Sequence, residues 1–206
     1  MDGGLSLVPF FGTAAVSVLS ARAAKIAEGN SKRFAEEVKE RVNRLDLSKL
    51  DKSFVESDEF ASLLFEILTR NARAYEEEKI KLFANIFVHS AFLENSRTPY
   101  KEGFIRIVSD LSLDHIALFR CIYDKGKDFT EEDKANNCDH VKSGELLKLL
   151  EISVSRLLAY AQELMRFGVT YDWTIGRLGA EDSYGLTEYG REFALFLIDP
   201  DIDYSV

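Results

Sequence analysis

The chain has few of the residues on which disulfide-stabilised and secreted proteins depend. Only two cysteines, Cys121 and Cys138, occur in 206 residues, and no basic residue precedes the apolar N-terminal run, as a secretory signal requires. We therefore expect a reduced, cytoplasmic protein without a disulfide framework. Only three prolines interrupt the chain, while 46% of its residues are hydrophobic and 15 are phenylalanine. This composition is typical of a packed, helix-rich globular protein and excludes a disordered one.

Catalytic and cofactor motifs are also missing from the sequence. Its glycines match neither a P-loop nor a dinucleotide fingerprint, and it has no G-x-S-x-G elbow and no H-E-x-x-H helix. His89 and His115 fall in helical patterns far apart, so we interpret them as ordinary helix residues. Cys138, Asp139 and His140 are metal-ligand types without zinc-site spacing, and we interpret them as part of a polar loop. The sequence therefore predicts a non-enzymatic protein with no cofactor and no metal.

Negative charge is concentrated in the second half of the chain. Residues 1–110 carry 16 Lys and Arg against 17 Asp and Glu, a net charge of −1, whereas residues 111–206 carry 10 against 18, a net charge of −8. An acidic surface repels phosphate, so this distribution disfavours a large DNA or RNA footprint on the C-terminal half.

The N-terminal residues 3–21 contain no charged side chain, which leaves two interpretations open. Pro9 and Gly12 interrupt the run, and its serines and glycines lower its hydrophobicity, so we favour an apolar helix from about Thr13 that is buried in the fold or between subunits. A homo-oligomer is then expected. The alternative is a membrane-active segment, because the length of the run is close to that of a membrane span.

Apolar residues at helical spacing divide the chain into two predicted units. Residues 1–110 contain helical patterns over 31–45, 57–75, 76–94 and 100–111, with Ser31 and Ser57 as N-caps, and we expect an N-terminal helical bundle. Residues 111–206 contain three further helical patterns, a β-hairpin pattern over 169–187 and a closing helix over 188–199, with Gly168 as the C-cap of the third helix and Thr187 as the N-cap of the last. The predicted fold class is therefore mainly α, with a helical bundle followed by a winged-helix-like domain that has a small β-hairpin.

The third helical pattern of the C-terminal unit supplies the candidate contact residues. In winged-helix proteins the exposed face of this helix normally enters the DNA major groove. The predicted contacts with a nucleic acid or another partner are Ser153, Ser155, Arg156 and Tyr160 on the helix and Arg177 in the wing. Only one of the helix residues is basic, and a DNA-binding protein usually supplies several phosphate contacts.

Three stretches carry a resemblance to a protein family. They are 54-FVESDEFASLLFEIL-68, 72-ARAYEEEKIKLFANIFVHSA-91 and the Leu-Thr-containing ending 185-GLTEYGREF-193. Together they resemble uncharacterised bacterial proteins of the Abi-alpha, or abortive-infection, type. The resemblance implies a soluble bacterial protein with a link to phage defence, and it carries over no catalytic motif.

These observations together predict a non-enzymatic protein that binds another macromolecule, with a protein partner favoured. Two alternatives remain open at this point. One is a winged-helix DNA-binding transcriptional regulator, which the acidic C-terminal half disfavours. The other is a membrane-acting defence effector that works through residues 1–21.

Overall fold

The computed structural model describes residues 13–44, 46–74, 76–127, 129, 140–175 and 181–198. Within these ranges the protein is mainly helical with one small antiparallel sheet, which confirms the predicted class at that level. The helices are α1 (Thr13–Arg44), α2 (Lys52–Val55), α3 (Asp58–Asn71), α4 (Glu77–Ser90), α5 (Lys101–Asp110), α6 (Leu113–Gly126), α7 (Ser143–Leu150), α8 (Val154–Arg166) and α9 (Glu188–Leu197). The strands are β1 (Val141–Lys142), β2 (Thr170–Asp172) and β3 (Ser183–Leu186), in the spatial order β1-β3-β2.

The first helix is longer than the sequence pattern indicates. It runs unbroken for 32 residues, about 48 Å, so the predicted helix start at Ser31 is wrong. The Ser31 hydroxyl donates to the carbonyl of Ala27, 2.9 Å away, as serines inside helices often do. Asn30 is buried and donates to the carbonyls of Asn71 and Ala74, which attaches the middle of α1 to the end of α3.

Most of the predicted apolar segment, residues 3–21, lies outside the described residues. The backbone is helical from Thr13 onward. Among the described helices none combines the length and the apolar character that a membrane crossing requires.

Helix α4 is the central element of the N-terminal half. Its pattern predicts one apolar face, but α1, α3, α5 and α9 all pack against it, so it is buried on nearly every side. The predicted face is buried except for the half-buried Phe87; its residues are Ile80, Phe83, Ala84, Phe87 and Ala91. Leu82, Asn85, Ile86 and Val88 are buried as well, because four neighbouring helices pack against this helix.

The cap residues that fix several helix ends were readable from the sequence. The Ser57 hydroxyl accepts the amide of Phe60 at the start of α3, which confirms the predicted N-cap. Gly168 follows α8 with a φ of 73°, and its amide and that of Val169 return to the last turn of α8. This closing motif favours glycine because the left-handed backbone conformation is costly for other residues.

The C-terminal half runs in the order α6, β1, α7, α8, β2, β3, α9. The predicted hairpin corresponds to β2 and β3, and the sheet gains a third strand, β1, that the sequence pattern missed. Val141 and Lys142 form that strand by pairing with Tyr184 and Ser183 of β3. Two residues are too short to show the alternation by which strands are recognised in a sequence.

One hydrophobic core runs through both predicted units. Helix α9 closes the C-terminal half and also packs on α4 of the N-terminal half. Asn85 donates to the carbonyl of Leu197 at 2.8 Å, and the His89 imidazole donates to the carbonyl of Leu195 at 2.6 Å. The side chains of α4 therefore satisfy carbonyls at the end of α9. The division between residues 110 and 111 stays a prediction.

Candidate macromolecule-binding face

Helix α8 packs against the rest of the protein along one side only, so most of its other residues are exposed to solvent. Leu157, Ala161 and Leu164 are buried, and they attach α8 to α6 and the sheet. The turn before α8 is tight, because Glu151 ends α7 with a φ of 51° and Ser153 caps the new helix by accepting the amide of Arg156.

The structure brings three of the predicted contact residues together at the first turn of α8. Ser153, Ser155 and Arg156 are all exposed, and the two hydroxyls hydrogen-bond each other at 3.1 Å. Part of the hydrogen-bonding capacity of Ser153 is therefore used within the helix cap. Arg156 is the cation that this turn presents to solvent. The predicted wing contact Arg177 lies outside the described residues.

Tyr160 points along the flank of α8 toward α6. Its hydroxyl donates to the carboxylate of Asp114 at 2.7 Å, and its ring lies 4.6 Å from the His115 ring. The hydrogen bond to Asp114 raises the pKa of the Tyr160 phenol above its usual value. The side chain therefore joins two helices and is less accessible to a partner than the sequence prediction assumed.

An exposed apolar strip on this face was not predicted. Apolar residues at helical spacing in α8 predict a buried side that includes Val154 and Leu158, yet these side chains are 58% and 38% exposed. Leu149, at the end of α7 and five residues before Val154 in the chain, is 50% exposed. We call these three residues the apolar strip. The apolar pattern of α8 is wider than the side it buries, which is the feature of the sequence that could have indicated a second contact surface.

Few charged side chains lie near the strip, and some of its cations already form ion pairs. Among the described residues, Lys148 and Arg156 are exposed cations without an ion pair. By contrast, Arg166 pairs with Glu163 at 3.3 Å and Lys125 pairs with Glu145 at 2.8 Å. Two available cations are fewer than the phosphate contacts that support affinity for nucleic acid.

A carboxylate occupies the beginning of α7, where an anionic ligand could otherwise bind. The Gly144 amide donates to Glu181 Oε1 at 3.1 Å, and the Ser143 amide donates to the carbonyl of Asp182 at 2.7 Å. Amides at a helix start are a common binding site for phosphate. Here the chain itself satisfies them, so a phosphate would have to displace Glu181.

The face of the sheet turned away from the core is covered by aromatic rings. The rings of His140 and Trp173 stack at 4.0 Å with 18° between their planes. Tyr171 lies over Gly185, where any side chain would overlap its ring. Because these rings cover the sheet, the face of α8 is the more open surface of the C-terminal half.

The predicted absence of a metal site concerns three residues of metal-ligand type, Cys138, Asp139 and His140. No group of three or more His, Cys, Asp or Glu able to hold a metal ion occurs in the ranges that the structure describes. Cys138 and Asp139 lie outside those ranges. Burial raises the pKa of the Cys121 thiol, which disfavours the thiolate that a reactive cysteine requires.

Comparisons of the chain with protein-family models, curated proteins and solved structures give no match. The resemblance to the abortive-infection type stays a prediction.

Proposed function

We propose that the C-terminal half is a winged-helix-like module used for binding protein. Two features support the likeness to winged-helix domains. The elements follow the order helix, short strand, two helices, hairpin and closing helix, and the strands lie in the order β1-β3-β2. In this interpretation α8 corresponds to the helix that enters the major groove in DNA-binding members of the class.

One observation carries the preference for a protein partner. Leu149, Val154 and Leu158 are large apolar side chains exposed at the beginning of α8 and beside it. Apolar side chains contribute little to contacts with phosphates, whereas protein interfaces place such residues in their centre. Val154 and Leu158 are neighbours on one side of α8, and contiguous exposed apolar surface is a frequent indication of an interaction site.

The charges that border the strip indicate what the partner presents. Lys148 and Arg156 are available for ion pairing, while the C-terminal half as a whole is acidic. The best-matched partner offers apolar anchors at helical spacing with one or two acidic residues beside them. An amphipathic helix that lies along α8 meets these requirements.

Replacing the two residues of the apolar strip that lie on α8 is expected to weaken partner binding without affecting the fold. In the double variant Val154→Ser, Leu158→Ser, both changes are at exposed positions, so circular dichroism and melting temperature should stay close to those of the natural chain. The matched control is Phe65→Ser on α3, an apolar side chain that is 73% exposed and lies in the N-terminal half. Photo-crosslinking in a lysate of the source organism should give a product with the natural chain and the control.

We expect the double variant to reduce that product at least tenfold, because central apolar contacts dominate the free energy of binding. Equal crosslinking by all three proteins would refute the assignment of the strip. Loss of the product in the Phe65→Ser control would indicate that the partner binds the N-terminal half instead.

A winged-helix transcription regulator is the alternative that the element order favours. It requires Arg156 and Lys148 to contact phosphates and Glu181 to leave the beginning of α7. Titration with duplex DNA separates the two proposals.

A further inference from the structure

The first turn of α4 separates two grooves of opposite charge. The groove toward α1 has a volume of about 300 Å³ and is lined by Arg33, Glu36, Glu37, Glu40, Glu77 and Ile80. The cleft on the other side, between α3, α4 and α5, has a volume of about 220 Å³. Three cations and one acid line it, together with Ala74, Phe83 and Ser109: Arg70, Arg73, Lys79 and Glu76.

The three cations of this cleft differ in what they contact. Arg70 Nε pairs with Glu66 at 2.6 Å. Lys79 lies 3.4 Å from a Glu76 carboxylate oxygen and donates to the carbonyl of Ser109 at 3.3 Å. The guanidinium of Arg73 forms no ion pair or hydrogen bond with any described residue. The cleft therefore contains a fixed cation, Lys79, and an arginine whose donors are available.

The acids around the start of α4 do not supply the missing partner. Glu77 is directed toward α1, where it pairs with Arg33 at 3.9 Å, and Glu78 pairs with Lys81 at 2.8 Å. Glu76 makes no side-chain hydrogen bond to the first turn of the 14-residue helix. Amides at such a helix start add positive potential to the same side as Arg73 and Lys79.

The floor of the cleft is apolar. Phe83 is buried, and Ala74 is nearly so. A volume of about 220 Å³ also exceeds that of a single small anion, since one water molecule takes about 30 Å³ in the liquid. The cleft can accommodate an anionic group at its cationic side and a small group attached to it.

We propose that this cleft binds a small organic phosphate monoester through Arg73 and Lys79. Arginine and lysine are the donors that phosphate oxygens prefer, and the planar guanidinium of Arg73 can donate two hydrogen bonds at once. The site lies in the N-terminal half and uses different residues from the partner surface on α8.

Isothermal titration calorimetry of the full chain with phenyl phosphate tests this assignment. The variant Arg73→Ala is expected to weaken binding at least tenfold, because it removes a bidentate charged contact. The matched control is Arg106→Ala, an exposed arginine on α5 outside the cleft, and it should leave binding unchanged. Both positions are exposed, so neither change should unfold the protein, which thermal melting would verify.

Two further probes define the ligand class. Inorganic phosphate is expected to bind more weakly than phenyl phosphate, since it leaves most of the cleft of about 220 Å³ unfilled. Benzoate is expected to bind more weakly because it has fewer oxygens and less charge. The proposal is overturned if phenyl phosphate shows no saturable binding, if both arginine variants weaken it equally, or if either simpler anion binds as tightly.

Discussion

Replacing Gly190 with alanine is expected to lower the free energy of unfolding by about 3 kcal/mol, at the upper end of what an added core methyl group costs. A Cβ at this position would overlap the carbonyl oxygen of Val169 and lie 2.8 Å from its carbonyl carbon. Both contacts are with backbone, so no side-chain rotation relieves them. The beginning of α9 would have to move away from the end of α8, and urea unfolding followed by circular dichroism measures the loss.

The reason for that close approach is the hydrogen bonding around Thr187. Its hydroxyl donates to the carbonyl of Gly168 at 2.6 Å and accepts the amide of Gly190 at 2.9 Å. The Thr187 amide donates to the carbonyl of Val169. The run Leu186–Phe193 thus joins the first turn of α9 to the turn that follows α8.

Gly29→Ala is the matched control for this substitution. Gly29 lies inside α1, and a Cβ there meets nothing within 4 Å. Alanine in a helix interior is more stable than glycine by about 0.5–1 kcal/mol, so this variant should be more stable than the natural chain. A similar change in both variants, in either direction, would contradict the role given to the Gly190–Val169 contact.

Replacing Arg41 with alanine is expected to cost about 3 kcal/mol, because removing one partner leaves buried polar groups unsatisfied. The side chain is 4% exposed and pairs with Glu37 one turn earlier. It also donates through Nε to the side-chain oxygen of Asn85, which in turn donates to the carbonyl of Leu197. This chain of contacts connects α1, α4 and α9, so its loss should loosen both halves.

The same helix supplies the control for Arg41. Arg44 pairs with Glu40 at the same spacing, but the two side chains are 44% and 57% exposed. An exposed pair of this kind contributes less than about 1 kcal/mol, so Arg44→Ala should unfold at nearly the same urea concentration as the natural chain. Equal losses in the two variants would show that burial of Arg41 is not the cause.

The sequence predicted the helical class and most helix ends because both depend on local chemistry. Ser57 and Thr187 have hydroxyls that satisfy amides at a helix start, and Gly168 adopts a backbone that other residues avoid. The continuity of α1 through Ser31 could not be predicted in the same way, although its start near Thr13 was. Ser31 is equally able to cap a helix or to bond back within one, and contacts with the distant Asn71 and Ala74 decide how this region packs.

The sequence predicted where the candidate site lies, but not which of its side chains are exposed. The repeat of apolar residues located α8, and the comparison with winged helices selected its exposed face. Which of those apolar residues would be buried depended on the placement of α6 and the sheet against α8, which the sequence pattern does not contain. Val154 and Leu158 were therefore predicted to be buried, although they are exposed. Tyr160 was predicted to contact a partner, although its hydroxyl hydrogen-bonds to Asp114.

The hydrogen bond between Glu181 and the start of α7 could not be predicted from the sequence either. Glu181 is 37 residues from Gly144 in the chain, and only the folded sheet brings its carboxylate to that amide. The net charge of −8 in residues 111–206 indicated that polyanions are disfavoured. The structure adds a local reason, since the acid lies where a phosphate group would bind.

Titration of a fluorescein-labelled random-sequence DNA duplex with the full chain at low ionic strength, followed by fluorescence anisotropy, tests the proposed preference for protein most directly. We predict no saturable rise in anisotropy at any protein concentration that keeps the chain soluble, and no difference between the natural chain and Arg156→Ala. Saturable binding that weakens steeply with added salt and is lost in Arg156→Ala would contradict the proposal and assign α8 to DNA.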